Sequence, residues 1–204
     1  MTTRHIHLHL HSEFSLIDST IRINGLIAAA VRAQMPALAL TDECNMFAFV
    51  KFYKACMAAG IKPIGGCDLW ISAADDPRPW RLTVLCQNHA GYLNLSRLVS
   101  RAWRDGQRGG RALVESAWLT PDTTAGLIAL VGRESQVARL AMQQGTPAAL
   151  PETQALARLF DDRLYLELTR CGRAGEEDWN AVALPLASAL SLPIVASNDV
   201  RFLR

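Results

Sequence analysis

The sequence predicts an α/β fold in which seven strands alternate with helices and close, or nearly close, into a barrel. Three observations carry this. Seven short apolar runs are separated by helical patterns, the signature of successive βαβ units. No GxGxxG loop follows any run, which sets aside an open dinucleotide-binding sheet. Polar residues collect where the runs end: His11, Asp42 with Glu43, Asp68, Arg133, Arg170, and Asn198 with Asp199. That is the rim on which βα barrels carry their sites.

Strand one is His5–His11, HIHLHLH. Strict alternation on an extended chain would place His5, His7, His9 and His11 on one face and Ile6, Leu8 and Leu10 on the other. Asn24 is a candidate cap for a helix through Gln34, and Pro36 stops it before strand two, ALALTD. Asn45 opens a second helix that Gly60 ends, and KPIGGCDLWI is strand three. RLTVLCQ is strand four, followed by a helix over 91–104. LIALVG is strand five, followed by helical stretches near 134–144 and 151–160. RLYLELTR is strand six, a helix spans 176–190, and PIVASND is strand seven. No linker or repeat interrupts this order, so residues 1–204 are expected to form a single domain.

Composition narrows the function. Half of the residues are apolar and a fifth charged, as in a globular protein. The N-terminus has no apolar signal region, and no run approaches the roughly 20 residues that span a bilayer, so a cytoplasmic location is expected. Five cysteines without a CxxC pair read as reduced thiols, with Cys44 and Cys67 as packing residues. A net charge of +2 is too small for the whole domain to be a nucleic-acid binder, so any DNA contact must be local. Arg101, Arg104, Arg108 and Arg111 read as a solvated helix end and loop, and the five tryptophans as core or interface anchors.

One histidine on a strand is an ordinary core residue. Four in alternation, followed at later rims by Asp18, Glu43, Asp68 and Asp199, point to a metal-type site, because imidazole and carboxylate suit zinc, manganese or iron.

The stretches HLHLHSEFSLIDS, PALALTDECNMFAFVKFYKACMAAGIKPIGGCDLW and PIVASNDVRF resemble the ordered motifs of PHP (polymerase and histidinol phosphatase) domains. Within that family KFYKACMAAGIKPI, GYLNLSRLVS and ASNDVRF look like the N-terminal region of the bacterial DNA polymerase III alpha (catalytic) subunit. The likeness runs from Arg4 to Phe202. It implies a distorted seven-stranded (βα) barrel with metal ligands on its carboxyl rim, here the N-terminal part of a larger polymerase chain, truncated before the last helices usual in the family. By resemblance the parent is a DNA-directed DNA polymerase using magnesium. The domain's expected partners are the rest of that chain, DNA through the parent, and the separate proofreading exonuclease (epsilon) subunit.

The same resemblance implies that the metal site is eroded. His9, His11 and Asp18 match the first motif and Asp199 the last. Glu43 stands where a histidine is expected, Asp68 where a glutamate is, and Arg81, Arg133 and Arg201 where further ligands are. Guanidinium has no lone pair to offer and brings a positive charge. No catalytic residue and no resident cofactor are therefore expected, with residual divalent metal confined to the weak candidates His9, His11, Asp18 and Asp199. An ion-pair network in place of the metals is the expectation. The rival is a working metal-dependent phosphoesterase or 3′-to-5′ exonuclease.

Overall fold

The computed structural model describes residues 5–16, 18–73, 76 and 78–203. Arg4 and Arg204, the ends of the expected domain features, lie outside them. The elements in chain order are α1 (Ile23–Arg32), β1 (Ala37–Leu40), α2 (Phe49–Ala58), β2 (Lys62–Ser72), β3 (Trp80–Cys86), α3 (His89–Asp105), β4 (Gln107–Arg108), β5 (Arg111–Glu115), α4 (Pro121–Thr124), β6 (Leu127–Val131), α5 (Gln136–Gln144), α6 (Thr146–Phe160), β7 (Leu164–Thr169), α7 (Glu176–Leu190) and β8 (Ile194–Ser197).

The strands form one mixed sheet of order β4-β5-β2-β3-β6-β7-β8, with β1 beside the first half of β2. Six of the seven expected strands are present, and the β4–β5 hairpin is an addition that the sequence pattern did not signal. The sheet is less parallel than a pure βα barrel, because β3 runs antiparallel to both β2 and β6. The cause is local: only seven residues separate β2 from β3, fewer than the dozen or so that a parallel crossover needs.

Residues His5–His11 do not form the expected strand. The chain bends at Leu8 and His9, and only Leu10 keeps a bridge, to Val200. The bend breaks the side-chain alternation. Leu10 packs with the residues under α1 and α2, whereas Leu8, of the same parity, packs inside the sheet against Ala39, Leu85 and Leu130. His5 and His7 are consequently paired with each other, ring centroids 4.8 Å apart, and only His9 and His11 enter the polar cluster described below.

This irregular segment nevertheless bridges β1 and the chain just beyond β8. On one side Ala39 N donates to His7 O at 2.9 Å and Thr41 N to Leu10 O at 2.8 Å. On the other, His11 N donates to Val200 O at 2.9 Å and Val200 N to His9 O at 3.1 Å. The helices cover the outer face of the sheet over two apolar clusters, and the inner face carries a small third one.

Three helix starts differ from expectation. Helix α1 begins at Ile23 behind Arg22 with no side-chain cap, so Asn24 lies inside it. Helix α2 begins at Phe49, because the Asn45 side chain instead donates to Phe14 O and Glu43 O, both at 2.9 Å, and fixes the loop after β1. Helix α3 starts at His89, two residues before the expected Gly91, behind an Asn88 cap, and α7 spans Glu176–Leu190 as the periodicity predicts.

Candidate functional site

The inner face of the sheet changes character along the strands. Ala39, Ile64, Leu85, Ile128, Tyr165 and Val195 pack together at one level. Two residues further toward the bonded ends, at the same parity, stand Thr41, Thr83, Glu167 and Ser197, with Asp68 registered opposite Thr83. Polar groups thus sit on an apolar floor, and into this layer the bend at Leu8–His9 delivers two imidazoles.

Both rings are oriented by a carboxylate. His9 Nδ1 lies 3.2 Å from Glu167 Oε1, and His11 Nδ1 lies 3.1 Å from Asp18 Oδ2. Their Nε2 atoms point to Asp68 Oδ2, at 3.5 Å and 3.3 Å. These three atoms are buried, make no well-formed hydrogen bond among the described residues beyond these ion-pair contacts, and lie close enough together to hold one metal ion. Histidines held through one nitrogen by a carboxylate, with the other nitrogen free, are the arrangement that orients metal ligands. The ligand set that geometry offers is therefore His9, His11 and Asp68. It differs from the sequence expectation of His9, His11, Asp18 and Asp199, because Asp18 is occupied in holding His11.

Two arginines enter the same space. Arg81, on β3 and with a side chain only 10% exposed, pairs with Glu43 and reaches Asp68 at 3.4 Å, Glu134 at 3.2 Å and Asp18 at 3.7 Å. Its guanidinium also lies over the Trp70 ring, 4.6 Å from the centroid. Arg201 pairs with Asp18 and holds Asp199 through two bonds of 2.9 and 3.2 Å. A third arginine does the work expected of Arg133. Arg173 pairs with Asp199 and donates to its carbonyl oxygen at 3.3 Å. Among the described residues, Arg133 pairs with its exposed neighbour Glu134 alone, at 3.0 Å, and Arg170 with Glu177 alone, at the surface.

Arg173 and Glu167 were not foreseen. Glu167 carried a readable signal, a lone carboxylate at an inner parity of the strand RLYLELTR. Gly132 leaves it room, since a Cβ there would stand 2.6 Å from Glu167 Oε2. Arg173 carried none, because its loop is set by Glu176, whose carboxylate accepts from the backbone N–H groups of Cys171, Gly172 and Arg173 at 2.8, 2.9 and 3.1 Å. Asp42 is likewise structural: it accepts from Ser12 N at 2.6 Å, Ser12 Oγ at 2.7 Å and Ser15 Oγ at 2.8 Å, tying the loop after His11 to β1.

Charge compensation shapes the titration of the cluster. Burial alone would raise the Asp68 carboxyl, but Arg81 and the two histidines hold it well below its usual range. Burial opposes a charge on His9, yet Glu167 and Asp68 outweigh it and push His9 well above 6.5. His11 goes the other way: burial dominates, and His9 and Arg201 add to it. A raised histidine contributes stability that is complete below its unfolded value and lost as the pH climbs toward its folded one; a lowered histidine weakens the fold as the pH drops below 6.5. Stability from urea unfolding is therefore expected to peak near pH 6.5 and decline on the alkaline side, and His9→Gln should flatten the alkaline limb. An alkaline limb identical in the variant would show that His9 carries no charge in the folded protein.

The residues could hold one ion with three protein ligands; of the other carboxylates near it among the described residues, Glu43, Asp18 and Asp199 are each engaged by a guanidinium and Glu167 by His9 and Ser197. The space between the groups, bordered by His9, Asp68, Arg81, Glu167 and Asp199, is about 40 Å³, room for a few waters and far below the volume of a substrate pocket.

Comparison with known proteins agrees with this architecture. The family model for the PHP domain matches residues 7–171. Curated relatives include the DNA polymerase III subunit alpha of Xylella fastidiosa (strain Temecula1 / ATCC 700964), 45% identical over 99% of this chain, that of Pseudomonas fluorescens, 44% over 100%, and that of Escherichia coli (strain K12), 40% over 98%. The chain spans only 17–18% of the length of these relatives. Among solved structures, one described as a putative metal-dependent phosphoesterase from Bifidobacterium adolescentis superposes with a TM-score of 0.64 at 11% identity, covering 98% of this chain and 88% of that one. An amidohydrolase from Chromobacterium violaceum gives 0.58 at 16%, covering 96% and 87%. With the family's motifs in order along the chain and relatives of this identity across its whole length, the protein belongs to the PHP domain family, in the branch formed by the N-terminal region of DNA polymerase III alpha subunits.

Proposed function

We propose that this chain is the PHP domain of a replicative DNA polymerase, and that its rim cluster is an ion-paired structural node and not a phosphoesterase centre. The observation that carries the proposal is the entry of Arg81 and Arg201 into the space between His9, His11 and the carboxylates. A cation there would face guanidinium charge, and at an effective dielectric near 20 a unit charge about 4 Å away opposes each unit of its charge by roughly 4 kcal/mol. DNA synthesis belongs on this reading to the remainder of a parent chain, with magnesium, and the domain contributes packing and a docking surface for the proofreading exonuclease subunit. The docking claim is checked by calorimetric titration with that subunit in the absence of DNA, which should saturate; heats equal to dilution would remove it.

The rival reading, a metal-dependent phosphoesterase or 3′-to-5′ exonuclease, is favoured by one specific observation, the convergence of one buried atom each from His9, His11 and Asp68 at a spacing that could hold an ion. Were an ion held there, those side chains would bind it, Glu167 and Asp18 would orient the imidazoles, and the ion would supply Lewis acidity. Elemental analysis of the purified chain together with turnover of a phosphomonoester in added zinc or manganese separates the two. Less than one equivalent of metal and no metal-dependent turnover are expected; two tightly held ions per chain would reverse the choice.

A further inference from the structure

Strand β2 runs between β5 and β3 and continues past Asp68 to Trp70, which is registered opposite Arg81 on β3 and Leu113 on β5. Arg111 precedes Leu113 by two residues and therefore shares its face of the sheet. The alternate residues Leu69, Ile71, Leu82, Ala112 and Val114 belong to the outer apolar cluster, so Trp70, Arg81 and Arg111 stand together on the inner side. The Arg81 guanidinium lies 4.6 Å from the centroid of the indole and the Arg111 guanidinium 4.8 Å from it. One ring is thus shared by two cations from the strands on either side of it.

Hydrogen bonds do not account for this arrangement. Among the described residues, Trp70 Nε1 and Arg81 Nε are both buried without a hydrogen-bond partner, and exposed Arg111 has no acidic partner. An unpaired Nε leaves the tilt of the Arg81 guanidinium unfixed, while acids draw it in two directions. Asp68, fully buried, lies 3.4 Å away, and Glu134, 42% exposed, lies 3.2 Å away. Those distances are too similar to decide whether the group sits inside the cluster or follows Glu134 toward solvent. The face of the indole decides it, because a guanidinium gains from the ring only while it lies over it.

We infer that Trp70, backed by Arg111, is the positioning residue that holds Arg81 inside the rim cluster and so sets how strongly the cluster rejects a cation. The inference rests on the reading that Arg81 keeps cations out. It also gives the β4–β5 hairpin a task at the site, since Arg111 opens β5 and reaches the ring from the side away from Arg81's strand.

The test is zinc affinity, read by competition with a zinc-sensitive dye, for the chain and four variants whose folding is verified by circular dichroism. Trp70→Leu keeps apolar bulk without a π-face and should tighten zinc on the order of tenfold, the scale of one cation–π contact. Trp70→Phe restores a face and drops the unpaired N–H, and should stay within about threefold of the parent. Arg111→Gln, at an exposed position, should tighten zinc by about threefold and carries the test if Trp70→Leu does not fold. In an Arg81→Gln background Trp70→Leu should add nothing, because the ring acts through Arg81. Arg81→Gln without effect on zinc would remove the cation-exclusion reading itself. If Arg81→Gln tightens zinc but Trp70→Leu and Arg111→Gln leave it unchanged, or if Trp70→Leu still tightens it in the absence of Arg81, the positioning inference alone is overturned.

Discussion

Replacing Arg81 with alanine is expected to destabilise the fold by about 3–5 kcal/mol, because it leaves buried charge without its partner. The Arg81 guanidinium reaches Glu43, Asp68, Glu134 and Asp18, and the Asp68 side chain beneath it is fully buried. Once Arg81 is gone, Asp68 retains only the two histidines and the Thr83 hydroxyl, which donates to it at 3.0 Å. The variant also loses the contact of the guanidinium with Trp70. Arg133→Ala provides the control, since that side chain is paired only with exposed Glu134, and a change within about 0.5 kcal/mol is expected. Urea unfolding of the two variants beside the parent measures both, and equal small losses would mean that the rim cluster is solvated and not a structural node.

The double replacement Arg81→His with Arg201→His is expected to raise zinc affinity by about a thousandfold or more. Removing one guanidinium charge near a bound cation relieves roughly 4 kcal/mol per unit of ionic charge, and 4 kcal/mol corresponds to about three decades in a dissociation constant. The change also offers two imidazoles beside the Nε2 atoms of His9 and His11 and removes the pairing of Arg201 with Asp18 and Asp199, leaving Asp18 on His11 and Asp199 on Arg173. Competition with a zinc-sensitive dye gives the affinity, and circular dichroism verifies that the fold survives. Affinity unchanged in a folded double variant would show that the arginines are not what keeps a cation out, and the proposed structural role of the cluster would fall with it.

The first of these effects depends on residues that sequence alone could place only approximately. Position Arg201, following Asn198-Asp199-Val200, is legible as a guanidinium among acids, and the structure puts it on Asp18 and Asp199. Arg81 could be placed because it opens an apolar strand, and it proves to be the most connected charge in the cluster. Arg133 has the same local appearance, yet it faces Glu134, because the chain turns away after β6 and the third pairing passes to Arg173 from a different loop.

What the sequence determined by itself is the order of six of the strands and of the longer helices, their apolar faces, and part of the polar set gathered at the rim, His9, His11, Asp18, Glu43, Asp68, Arg81, Asp199 and Arg201, since these follow from local periodicity and from residue chemistry. What only the tertiary structure decided is which of those side chains meet. The bend at Leu8–His9 splits the four histidines into two pairs, because bonding to β1 on one side and to Val200 on the other overrides the alternation of an isolated strand. The reversal of β3, the recruitment of Glu167 to orient His9, and the preference for Asp68 over Asp18 as a third ligand position likewise arise from strand register and loop closure. Such long-range placements are fixed by the packing of segments far apart in the chain, and no local pattern encodes them.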